Sequence, residues 1–164
     1  MTKLLLSLHV LAAVLAVGPV TVAASMFPKT LRSAHGATPD DREALTTLRT
    51  LHRICRVYAG IGIAVPVFGF ATASSLGALG NGWLITSIVL TTGAAAVLGL
   101  LILPGQDNAL RAAETLDPGP DPGEVPVPVR RSAARLAMLT GVFNLLWATV
   151  TVLMIVRPGS TTGA

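Results

Sequence analysis

Four stretches of this chain, residues 4–24, 57–79, 83–103 and 136–156, contain no Asp, Glu, Lys or Arg. Each is about the 20 residues that an α-helix needs to cross a hydrocarbon layer about 30 Å thick. A helix of a water-soluble core would carry a charged face every turn or so, and these carry none. Charged residues make up 12% of the chain, against about 25% in an ordinary soluble domain. The 52% apolar content also argues against disorder, because disordered chains are poor in such residues. The expectation is an all-α protein: an up-down four-helix transmembrane bundle forming a single membrane domain over 1–164.

The charges lie in the gaps, and unevenly. The gap 26–56 holds Lys29, Arg32, Arg42, Arg49, Arg53 and Arg56; the gap 104–135 holds Arg111, Arg130, Arg131 and Arg135. Both gaps fall on one side of a four-span bundle. The other side has Lys3, the Gly80-Asn81-Gly82 turn and Arg157. The bias of basic residues toward cytoplasmic loops then places both long loops in the cytoplasm of a cell (plasma) membrane and both termini outside. The same bias explains the net charge of +4 without nucleic acid, because no aromatic-basic patch is present. Residues 1–24 also have the outline of a cleaved signal peptide, with Lys3, an apolar run and Val22-Ala23-Ala24. The six basic residues that follow favour retention of the segment as a span instead.

Loop one contains a short amphipathic helix before span two. Thr38-Pro39-Asp40-Asp41 reads as its start, with Thr38 as cap and acids at the positive dipole end. Ala44, Leu45, Leu48, Leu51 and Cys55 then share one face, and Arg42, Arg49, Arg53 and Arg56 another. Such a helix is expected to lie on the inner membrane surface, apolar face down, with its arginines among anionic lipid headgroups. Loop two reads as a helical piece over 106–116, then an extended spacer with five prolines between 118 and 128.

Few side chains within the spans can do chemistry. His9 lies about 7 Å below the outer boundary of span one. Thr72, Thr86, Ser87, Thr149 and Thr151 fall at similar depth when each span is counted from its own end. Polar groups at such depth face the bundle. Ala12, Ala13 and Ala16 continue the His9 face and allow close helix approach. A neutral imidazole bonded to a threonine or a backbone carbonyl is the expected role, because a lone ionisable group without an acidic partner makes a poor proton relay. Asn144, near the middle of span four, shares a face with Gly141, Ala148 and Thr151 and reads as interhelical glue. Pro66 kinks span two and is a candidate hinge.

His52 and Cys55 stand three residues apart, with Met26 and Met138 at the inner ends of spans one and four. These are soft ligands of the type that Cu(I) accepts. A single cysteine excludes an internal disulfide and a Cys-rich metal site. Two axial histidines for a haem must face each other, and His9 and His52 belong to opposite ends. There is no phosphate loop, H-E-x-x-H, G-x-S-x-G or intramembrane acid. Neither an enzyme nor a cofactor is expected.

Three stretches carry a family resemblance: Leu8-His9-Val10-Leu11-Ala12-Ala13 with Gly18-Pro19; the approach to span two from Arg49 to Tyr58; and Phe143-Asn144-Leu145-Leu146-Trp147 with Val156-Arg157-Pro158-Gly159. On these the chain resembles a family of bacterial predicted integral membrane proteins, domain of unknown function 2269. Its opening is also similar to that of copper-resistance membrane proteins. The resemblance implies a multi-span membrane protein and brings no activity. Copper chemistry is not carried over, because further intramembrane histidines are missing.

Three functions follow as expectations. The first is a non-enzymatic envelope component that partners the bilayer and self-associates as a homo-oligomer through its Gly, Ala and Thr faces. The second is a small-solute or proton permease lined by His9 and Asn144. The third is metal handling through His52 and Cys55.

Overall fold

In the computed structural model, residues 2–34, 39–77, 79–115 and 125–158 are described. They form helices and no strand. The helices are α1 (Thr2–Ser33), α2 (Pro39–Ile61), α3 (Ala64–Ser75), α4 (Gly82–Ala96), a π-helical turn (Val97–Ile102), α5 (Leu103–Thr115) and α6 (Val127–Val156). They make four rods long and apolar enough to cross a membrane: α1, α2 with α3, α4 with α5, and α6. Sequence neighbours run antiparallel, so the all-α up-down bundle stands. One end carries the two long connections; the other carries both chain ends and the short α3–α4 turn.

The rods are longer than a bilayer needs. The 32 residues of α1 span about 48 Å, against about 30 Å of hydrocarbon. The excess projects at the connecting end, where much of the presumed loops is helical. α1 passes through Pro19 and Pro28 without breaking and runs to Ser33. α6 begins inside the proline-rich region, with Pro126 flanking its start and Pro128 in its first turn, where a missing N–H costs nothing. Thr38, expected as a cap, His35 and the spacer 116–124 lie outside the described residues.

The amphipathic helix is present as α2, but it does not rest its apolar face on lipid. Leu48, Leu51 and Cys55 are buried against Phe27, Leu31, Ala109, Leu110 and Ala113, with Ala44 and Leu45 packed alongside. This is the largest buried cluster in the described residues, and most of it lies outside the four uncharged stretches. Amphipathicity requires only that the apolar face be covered; here neighbouring helices cover it. Arg42, Arg49, Arg53 and Arg56 remain exposed.

Two irregularities shape the middle of the rods. The break between α2 and α3 lies at 62–63, one turn before Pro66. Pro66 has no N–H to give the Gly62 carbonyl, which instead accepts from the Val65 N–H at 3.1 Å. The other irregularity is the π-helical turn. Its wider winding, with the Leu103 N–H reaching back to the Leu98 carbonyl, precedes Pro104. A proline ring crowds the carbonyl four residues behind it, and a widened turn leaves it room. Gly77, in the α3–α4 turn, takes φ of 64°, a left-handed conformation that suits glycine.

The outward surface of the spans is apolar. Leu4, Val14, Leu100, Leu145 and Ile155 are all more than 60% exposed. Patches of this extent belong to a surface solvated by lipid tails. The buried cluster at the connecting end should therefore dominate stability. Phe27, fully buried, is its largest member, and Phe27→Ala should lower the unfolding free energy in micelles by about 3–5 kcal/mol. A loss below about 1 kcal/mol would contradict this packing.

Candidate functional site

α1 and α3 come together through His9. Its Nδ1 lies 2.9 Å from the carbonyl oxygen of Val65, in the first turn of α3. A carbonyl can only accept, so Nδ1 carries the proton. The ring packs closely against Gly69: a Cβ built there would come within 3.0 Å of His9 Cε1 and 3.2 Å of Nδ1. Close approach at Gly69 is therefore what brings the imidazole within reach of the backbone. The bond spans the two rods just beyond the helix break, where Pro66 has already disturbed the hydrogen-bond ladder.

The remaining polar residues of the spans do not gather around His9. Thr72 is buried and donates to the Phe68 carbonyl at 2.7 Å. Thr149 and Thr151 are exposed and donate to Leu145 and Trp147 of their own helix, both at 2.9 Å. Thr86 and Ser87 do the same, to Gly82 and Trp83. Asn144 reaches α1 and donates through Nδ2 to Ser25 Oγ at 3.4 Å, while its Oδ1 is buried without a partner. Ser25 is sixteen residues along α1 from His9, or about 24 Å. His9 and Asn144 thus sit at different depths of the bundle.

His52 and Cys55 meet through a residue that the sequence did not single out. Gln106 of α5 is 1% exposed. Its Oε1 accepts from His52 Nδ1 at 3.2 Å, and its Nε2 donates to Cys55 Sγ at 3.7 Å. The amide thereby fixes the His52 tautomer and stands between imidazole and thiol. Only its side chain type, an uncharged amide one turn beyond a presumed span boundary, hinted at burial. Met26 and Met138, candidate companions, are 50% and 64% exposed, whereas Cys55 is fully enclosed. Among the described residues, no three His, Cys, Asp or Glu side chains come together.

Among the described residues two ion pairs form, both at the connecting end. Arg49 meets Glu114 at 2.9 Å, joining α2 to α5, and Arg111 meets Asp107 within α5 at 3.1 Å. At the other end the Arg157 guanidinium lies 5.8 Å from the centre of the Trp83 ring, a cation–π contact tying α6 to the start of α4.

The geometry makes His9 and Gly69 a coupled pair. His9→Leu should destabilise the protein in micelles by about 1 kcal/mol. Gly69→Ala should displace the ring and cost a similar amount in the unaltered protein, but clearly less on the His9→Leu background. Additive losses in that double-mutant cycle would separate the two residues.

Neither a curated protein nor a solved structure matches the chain at a significant level. A family model described as predicted integral membrane protein, domain of unknown function 2269, matches residues 3–158. Covering nearly all of the four rods, that match means that the chain belongs to this family of predicted integral membrane proteins.

Proposed function

We propose that this integral membrane protein is a non-enzymatic component of the cell envelope, serving through its shape and surfaces rather than through a reaction. One observation carries the reading: polar side chains of the spans are engaged within the protein. His9 binds the α3 backbone, Asn144 binds Ser25, and Thr72, Thr149 and Thr151 close onto their own helices. Such bonds hold helices together where lipid gives no hydrophobic drive. They do not line up as a file of groups able to pass a solute or a proton between the two faces.

The charge distribution supports a placement in the cell membrane with the connecting end in the cytoplasm. Ten of the twelve basic side chains belong to that end, and Lys3 and Arg157 to the other. Arg42, Arg49, Arg53 and Arg56 then meet anionic headgroups of the inner leaflet. Exposed small residues such as Ala95, Ala96 and Gly99 on the third rod offer a face for self-association.

Single cysteines introduced at Asn81 and Asp121, on a Cys55→Ser background, test the placement. Cysteine 81 should react with an impermeant reagent in intact cells, and cysteine 121 only after lysis; the reverse pattern would invert the protein. Proteoliposomes test the role: proton flux should not exceed that of empty vesicles, and a flux abolished by His9→Leu would replace this reading with a permease.

A further inference from the structure

The exposed groove between α1 and α6 carries unneutralised positive charge. Lys29 and Arg32 of α1, and Arg130, Arg131 and Arg135 of α6, are all exposed. None of them has an ion pair among the described residues. The sequence gives a reason: no acidic residue occurs anywhere in α1 or α6. The two ion pairs among the described residues lie elsewhere at the connecting end, between α2 and α5 and within α5. Arg130 and Arg131 also stand at the end of the first turn of α6 and the start of the second, near the positive end of the helix dipole, where cations are disfavoured. An anion at this place would offset both penalties.

Register fixes where the charges sit. Thr140 approaches the Ala24 carbonyl at 3.5 Å and Asn144 approaches Ser25, and the two helices run antiparallel. Arg32 is therefore level with residues 132–137 of α6. Arg135 lies at its height, and Arg131 and Arg130 follow about 6 and 8 Å further toward the start of α6. Ser25, Lys29 and Arg32 recur at steps of four and three and so share a face of α1. Arg130, Ala134, Ala137, Gly141 and Asn144 recur at steps of four and three along α6 and share a face there.

The groove changes character with depth. Ser25 and Asn144 lie about 6–10 Å further into the span than Lys29 and Arg32. Asn144 gives one N–H to Ser25, and an amide nitrogen has two hydrogens, so a donor remains there. Deeper still the track is apolar and shallow. Gly18 of α1 and Ala148 of α6 are exposed there, and a Cβ at Gly18 would meet nothing within 4 Å.

We propose that this groove seats one anionic phospholipid. Its phosphate is held by Lys29, Arg32 and Arg130, its ester carbonyls lie beside the free Asn144 N–H, and an acyl chain follows the track past Gly18. The seat rests on the bilayer-spanning fold and is independent of whether the protein is enzymatic. It differs from the α2 arginines in joining charge, an amide donor and an apolar track on one surface.

The test is native mass spectrometry of the full chain, released from micelles containing equal phosphatidylglycerol and phosphatidylcholine of matched chains. The unaltered protein should retain one phosphatidylglycerol in clear preference. Arg32→Ala/Arg130→Ala should reduce that preference at least about tenfold. Gly18→Leu, which fills the track and leaves every charge in place, should lower retention as well. Arg53→Ala/Arg56→Ala on α2 should leave it unchanged. Circular dichroism of each variant should match that of the unaltered protein, since all of these side chains are exposed or glycine. Equal retention of the two lipids by the unaltered protein would overturn the proposal. So would retention insensitive to the groove variants, an equal loss in the α2 variant, or a dimer that excludes lipid from the groove.

Discussion

The bundle depends on a cluster of apolar side chains at the end where water, rather than lipid, is the competing solvent. Phe27, Leu31, Leu48, Leu51, Leu110 and Ala113 are removed from solvent there, and each contributes the full transfer free energy of burial. Within the hydrocarbon layer that term vanishes, because a lipid tail solvates leucine as well as a neighbouring helix does. The spanning parts are accordingly less buried, with most of each apolar window facing outward. Helix association there falls to close packing and to a few hydrogen bonds, of which His9 to Val65 is the clearest.

Local backbone irregularities are absorbed near these contacts. The Gly62–Pro66 region breaks the second rod, and His9 crosses from α1 to bind a carbonyl just past the break. The third rod takes a π-helical turn before Pro104, then delivers Gln106 into the buried cluster between His52 and Cys55. In both places a proline that removes a backbone donor is followed closely by a side-chain bond between rods. Lipid-facing backbone groups must be satisfied within the protein, which favours placing such disturbances against a neighbouring helix.

Charge is sorted with equal economy. Acidic residues occur in α2, α5 and the connections, never in α1 or α6. Among the described residues the ion pairs fall between α2 and α5 and within α5, and the cations of α1 and α6 have none. Anionic lipid headgroups are the counter-ions we propose for them.

Much of this was legible in the amino-acid order alone. Four uncharged stretches of spanning length impose helices, because in hydrocarbon a single segment can satisfy its backbone only by coiling on itself. Periodicity marked the apolar face of α2, and depth marked His9 as a residue that must find a partner inside the protein. Partners are another matter. Whether lipid or protein covers Leu48, which carbonyl accepts from His9, and that Gln106 separates His52 from Cys55 are decided by which helices adjoin and in what register. Those depend on contacts between residues more than fifty positions apart, such as His9 with Val65 and His52 with Gln106. Local pattern constrains a helix and its faces; only the assembled bundle determines what each face meets.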